Sequence, residues 1–155
     1  MYSMRRTDRR ITAEETEKIL TKGLYGTLAS VSEDNSAYAV PLFYVYENGA
    51  VYFHCAGEGH KLKNIAYNDR VCFNVVSDVE VIPNEFAAYY SSADVFGWAQ
   101  IVEGDEKKRA LVALIEKYSH DFYDDGMKYI DKLYDVTTVC KITAEYVTGK
   151  ARKKQ

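Results

Sequence analysis

Only three cysteines occur in the 155 residues, Cys55, Cys72 and Cys140. An odd number with no Cys-x-x-Cys spacing excludes a disulfide framework and reads as reduced thiols in a cytoplasmic protein. A His-Glu-x-x-His pair is also missing, so no tetrahedral metal site can be assembled from local sequence. No apolar run is long enough to span a bilayer. The opening "MYSMRRTDRR" is charged rather than apolar, unlike a secretory leader. The formal charge of −3 gives no general attraction to polyanions. Arg5, Arg6, Arg9 and Arg10 at one end, and Arg152, Lys153 and Lys154 at the other, therefore read as solvated tails. Neither a nucleic-acid partner nor a membrane is expected, and there is no repeat or low-complexity segment.

What is present is ordinary for a globular chain: 47% apolar and 28% charged residues. That is enough for one core and one domain, residues 1–155, with a basic arm over 1–10 and a basic tail over 150–155. Fourteen tyrosines and six phenylalanines stand against one tryptophan. Tyrosine favours strands and half-wet pockets or interfaces.

"TAEE", Thr12 to Glu15, has the form of a capping box and predicts a helix running to about Lys22 and stopping at Gly23. "YGTLASV", "AYAVPLFYVYENG" and "AVYFHCA" predict a meander of three antiparallel strands, turning at "SEDNS" and at Asn48-Gly49. "HKLKNIAY" reads as a short helix. "RVCFNVV" reads as a fourth strand with Val71, Phe73 and Val75 on one face. Residues 77–90, which contain Pro83 and show no clear period, read as a loop. "ADVFGWAQIVE" is a fifth strand. The helix after Gly104 places Leu111, Leu114, Ile115 and Tyr118 on one stripe, a short helix follows near 127–134, and "VTTVCKITAEYVTG" is a sixth strand. The fold class is mainly β: a six-stranded antiparallel barrel with flanking helices, because closure removes exposed strand edges.

The stretch "VYFHCAGEGHKLKNI", Val51 to Ile65, carries the most chemistry. His54 and Cys55 are neighbours on a strand and point to opposite faces, which disfavours a shared metal. Cys55 as a nucleophile would need a base that the sequence does not place beside it, and a half-buried strand cysteine is the simpler reading. Gly57 and Gly59 allow a tight turn, and a helix begins near His60. Its first amides are unpaired and its dipole is positive, so an anion can bind there with help from Lys61. The residues alone leave this open against a plain strand-to-helix corner with a solvated lysine.

The order "YGTLASVSEDNSAYAVPLFYVYENGAVYFHCAGEGHKLKNIAYNDRVCFNVV" resembles the pyridoxamine 5′-phosphate oxidase-related flavin-binding family, most closely its nitroimidazole-resistance branch. The resemblance runs from about Arg5 to Gly149. It implies a split β-barrel and a homodimer that holds FMN in clefts between its subunits. By position, it implies that His60 and Lys61 hold the FMN phosphate. It also implies that Val40, Pro41, Leu42, Phe43 and Tyr44 lie along the ring and ribityl chain. His54, Cys55 and Ala56 at a strand end, and Leu28, Ala29 and Ser30 on the first strand, would complete the cleft. Gly97 and Trp98 would reach the flavin from one subunit or the other, with a tryptophan in the barrel wall as the alternative. "DNSA", Asp34 to Ala37, replaces a common Asp-Gly-x-Pro, and Asn35 can still supply the turn. "EYVTGKARKKQ" departs from the tryptophan and arginine-histidine-arginine pattern of true pyridoxamine phosphate oxidases, which disfavours vitamin B6 oxidation.

The resemblance implies a flavin-dependent reductase of small molecules, nitro compounds among them, with NADH or NADPH as candidate electron donor. His54 is the candidate catalytic contact to substrate or flavin edge, against a satisfied strand histidine. The rival readings are a flavin carrier or sensor without turnover, and a split-barrel relative that binds haem or the deazaflavin F420.

Overall fold

The computed structural model describes residues 4–153. The arm residues 1–3 and the tail residues 154–155, Lys154 included, lie outside the described residues.

Thr12 caps the first helix as expected. Its hydroxyl accepts from Glu15 N at 3.1 Å, and the Glu15 carboxylate accepts from Thr12 N at 3.0 Å. The helix, α1 (Ala13–Lys22), ends at Gly23. It buries Ile19 and Leu20 against the sheet.

Seven strands form one antiparallel sheet. They are β1 (Gly26–Val31), β2 (Ala37–Leu42), β3 (Val45–Glu47), β4 (Ala50–Ala56), β5 (Arg70–Ile82), β6 (Ala87–Val102) and β7 (Thr137–Arg152). The spatial order is β2-β1-β5-β6-β7-β4-β3. The two edge strands, β2 and β3, are consecutive in the chain and separated only by Phe43 and Tyr44. The sheet therefore rolls into a barrel whose seam is a break within one run of sequence, and β2 and β3 share no hydrogen bonds. This is why seven strands appear where six were expected: the run from Ala37 to Glu47 is divided. Pro41 sits on an edge strand, where its missing amide costs no ladder bond.

The turns carry the conformations their residues favour. Asn35 has φ 64, Asn48 φ 51 and Gly49 φ 76, so the Asp34–Ala37 departure does retain a left-handed turn. The expected loop over 77–90 is instead the tip of a long β5–β6 hairpin. Its register shifts between Ser77 and Glu80, and a short 3₁₀ turn at Pro83–Glu85 reverses the chain. The shift breaks the two-residue period, which hid the strand. Pro83 falls in the turn, where it is tolerated.

Two cores result. Leu28, Phe53, Phe73, Val75, Val95 and Ile142 fill the barrel, all fully buried. Each such side chain contributes about 1.5–3 kcal/mol. A short helix, α2 (His60–Tyr67), follows β4. On the outside of β3, β4 and β7, the helices α3 (Gly104–Tyr118) and α4 (Tyr123–Leu133) cover Val45, Tyr52 and Val139 with Leu111, Leu114 and Ile130. Gly97 lies opposite a bulge in β7, where Glu145 is the extra residue, and a Cβ at Gly97 would meet Thr143 O. Only glycine lets β7 approach so closely. No helix among the described residues is long and apolar enough to cross a membrane.

Candidate functional site: the corner between β4 and α2

β4 ends at Ala56, and Gly57, Glu58 and Gly59 turn the chain into α2 (His60–Tyr67). Gly59 has φ 145, a conformation open to glycine. As the N-cap it offers no side chain to the first-turn amides. Leu62 N and Lys63 N donate to Gly59 O at 3.1 and 3.2 Å, which leaves the His60 and Lys61 amides without a partner among the described residues. A Cβ at Gly59 would meet nothing, and one at Gly57 only Thr138 Oγ1 at 4.0 Å. Space therefore exists over the amides.

The basic pair divides its work. His60 Nε2 lies 2.9 Å from Ser32 Oγ, and its ring stands 4.5 Å from the Tyr38 ring. His60 is thus fixed in orientation, with one ring nitrogen engaged. Lys61 is half-buried and in no ion pair among the described residues. An uncapped helix start beside an unneutralised ammonium fits a phosphate dianion. A cleft of about 460 Å³ opens on the His60 side, lined by Ser32, Asp34, Lys63, Asn64 and Tyr67. The Asp34 carboxyl is held below its ordinary pKa by the hydroxyl and amide of Ser36.

The helix itself is pinned from beneath. Buried Asn64 donates to Ser30 Oγ at 3.1 Å, so Ser30 anchors α2. Ser32, Tyr38 and Asn64 were not singled out from the sequence. The available signal was the pair Ser30 and Ser32, two polar residues with the spacing of one strand face at the end of β1, both buried.

His54 and Cys55 do lie on opposite faces of β4. His54 is directly opposite Val139 in β7 and makes no hydrogen bond among the described residues. One side of its ring reaches solvent, yet enough protein surrounds it that burial lowers its pKa, so it is neutral at pH 7. Cys55 points inward. The Cys140 thiol on the neighbouring strand is the main cause that lowers the Cys55 thiol below its ordinary range. Burial opposes that shift and the Lys61 charge assists it. Burial and Asp94 push Cys72 up to about 11.

The remaining residues are dispersed. Leu28 and Tyr44 are fully buried and belong to the core. Val40 and Leu42 pack against that core, whereas Ala29, Pro41 and Phe43 face outward. Trp98 pairs with Arg70 at the exit of α2, the end away from His60. Its ring is 38% exposed, with the Arg70 guanidinium 5.2 Å from its centroid. It is not a buried wall residue.

A family model described as pyridoxamine 5′-phosphate oxidase matches residues 12–151. No curated protein sequence matches the chain. The solved structures that share the fold include three with telling names. A candidate 5-nitroimidazole antibiotic resistance protein from Bacteroides thetaiotaomicron is 23% identical with a TM-score of 0.78; the alignment covers 90% of this chain and 84% of that one. A FAD-binding protein from Mesorhizobium loti is 24% identical with a TM-score of 0.66, covering 94% and 98%. The FAD and heme binding protein from Mycobacterium smegmatis is 18% identical with a TM-score of 0.77, covering 92% and 72%. With a family model spanning nearly the whole described chain, the protein belongs to the pyridoxamine 5′-phosphate oxidase family.

Proposed function

We propose that the chain binds FMN and acts as a flavin-dependent reductase of small molecules. The observation that carries this reading is the corner itself: uncapped amides at the start of α2 beside the unneutralised Lys61. The phosphate would rest on those amides and on Lys61, with His60 held ready by Ser32 and Tyr38. The outward residues Ala29, Pro41 and Phe43 would offer apolar contact to a planar ring. When bound, FMN supplies the electron transfer; the protein supplies placement and electrostatics. His54, neutral at pH 7, can donate or accept one hydrogen bond at a substrate or ring edge. No side chain has to act as a nucleophile.

A homodimer belongs to the same proposal. Helices α3 and α4 cover the sheet on the β3–β4–β7 side. The outward residues of β5 and β6 include Val76, 47% exposed, and Phe96 stacked on Tyr146 at 4.6 Å. An apolar sheet face of this kind is suited to a second copy.

One absorption spectrum of freshly purified protein tests the cofactor, and anaerobic addition of NADH or NADPH tests turnover. A flavin spectrum bleached by either nucleotide supports the reductase. A flavin spectrum that neither bleaches favours the carrier or sensor, and a Soret band in place of the flavin would assign the barrel to haem.

A further inference from the structure

The two basic clusters read as separate tails meet in the fold. Arg10 bridges Lys150, and Ile11 N donates to Gly149 O at 3.2 Å. Beside this seam a cleft of about 680 Å³ opens between the arm, the end of β7 and the tip of the β5–β6 hairpin. That volume lies within the range of small-molecule sites. Arg6, Arg9, Arg152 and Lys153 line it together with Tyr89.

Their charges are not equally free. Arg6 is held by Asp8 through two bonds of 2.8 and 2.6 Å. Lys153 is paired with Glu15. Arg9 has only a 3.4 Å contact to the Tyr90 hydroxyl. Arg152 lies 5.8 Å from the centre of the Tyr89 ring. Neither Arg9 nor Arg152 is in an ion pair among the described residues. Glu85, which accepts from Tyr89 Oη at 3.3 Å, is the one lining carboxylate without a cationic partner. Two unneutralised guanidiniums beside an aromatic face match a phosphate joined to a planar ring: the fork binds oxygens in pairs, and tyrosine stacks on a base.

We propose that this cleft binds a free nucleotide, with its phosphates on Arg9 and Arg152 and its base against Tyr89. The site is distinct from the Lys61 corner. β7 passes Cys55 near its start, at Thr138, and reaches the cleft only at Arg152, its other end. The proposal therefore does not rest on the flavin reading. A free nucleotide is favoured over a nucleic-acid strand because Asp8 and Glu85 also line the cleft and would repel a continuous polyanion.

The test is equilibrium binding of ADP carrying a fluorescent ribose label, with unlabelled ADP, inorganic pyrophosphate and a short single-stranded RNA as competitors. Arg9→Gln combined with Arg152→Gln should weaken labelled ADP by about tenfold or more without changing the melting temperature. Tyr89→Leu should weaken ADP but not pyrophosphate, and Glu85→Gln should strengthen both. Equal affinity in the parent and the double arginine variant would overturn the site. So would absence of binding to the parent at about 1 mM ADP, or competition by RNA alone.

Discussion

The hydroxyl of Tyr118 lies between the two backbone groups of Tyr44, 3.0 Å from its nitrogen and 2.7 Å from its carbonyl oxygen. The hydroxyl accepts from the Tyr44 amide. It donates its one proton toward the Tyr44 carbonyl or toward Leu24 O at 2.9 Å. At the seam of the barrel, one side chain from α3 thus replaces the ladder bonds that a neighbouring strand would supply. Tyr44 in turn drives its ring into the core and donates to Leu20 O at 2.6 Å, while burial pushes its own pKa up.

Removing that hydroxyl tests whether the seam depends on it. Tyr118→Phe keeps the ring beside Phe43, 5.0 Å away, but strands two backbone groups. The expected cost is about 1–3 kcal/mol, with a fall in melting temperature of roughly 2–4 °C per kcal/mol at this size. Tyr129→Phe, at a position 62% exposed, should change nothing. Equal melting temperatures for Tyr118→Phe and the parent would show that water satisfies the seam.

Lys117 provides a pH signature next to the same seam. Its Nζ is buried without a hydrogen-bond partner among the described residues and lies 4.0 Å from the Tyr44 ring centroid. Burial lowers its pKa to about 8. Between that value and the ordinary lysine value the unfolded chain binds more protons, so stability contributed by this group rises from pH 8 toward 10. Below pH 8 the penalty for charging it in the fold is fully present. In Lys117→Met, denaturant unfolding should show a shallower rise over that window than the parent. Parallel curves would place the ammonium in water.

Cys55 should stand apart from the other thiols. With its thiol lowered by Cys140 and Lys61, its alkylation by iodoacetamide should show an inflection below the ordinary thiol value of about 8.5. Cys72 should react only at higher pH, and Cys140 is fully buried. Cys140→Ala removes the largest influence that lowers it, so the inflection should move up toward that ordinary value. Lys61→Ala should move it in the same direction by less. An inflection unmoved in Cys140→Ala would contradict the pairing of the two thiols.

Much of this was legible in the sequence, and the gaps have physical causes. The capping box at Thr12, the turn at Asn48-Gly49, the corner at Gly57 to His60 and the inward Val71, Phe73 and Val75 all follow from local rules, and each is present. The hairpin over 77–90 was hidden because a register shift cancels the alternation that marks a strand. The seam at Phe43 and Tyr44 was hidden because its partner, Tyr118, is 74 residues away in the chain. The same limit applied to the candidate site. The GEGH turn announced a helix start, but the residues that hold His60 and α2 in place, Ser32, Tyr38 and Asn64, are brought there only by the barrel.

The central claim is that Lys61 and the uncapped start of α2 hold the phosphate of FMN. The direct measurement is titration of flavin-free protein with FMN and with riboflavin, followed by flavin fluorescence, for the parent and Lys61→Ala. The account predicts that the parent prefers FMN over riboflavin, that Lys61→Ala weakens FMN by about tenfold or more, and that the two proteins bind riboflavin alike. Equal FMN affinity in parent and variant, or riboflavin bound by the parent as tightly as FMN, would contradict it.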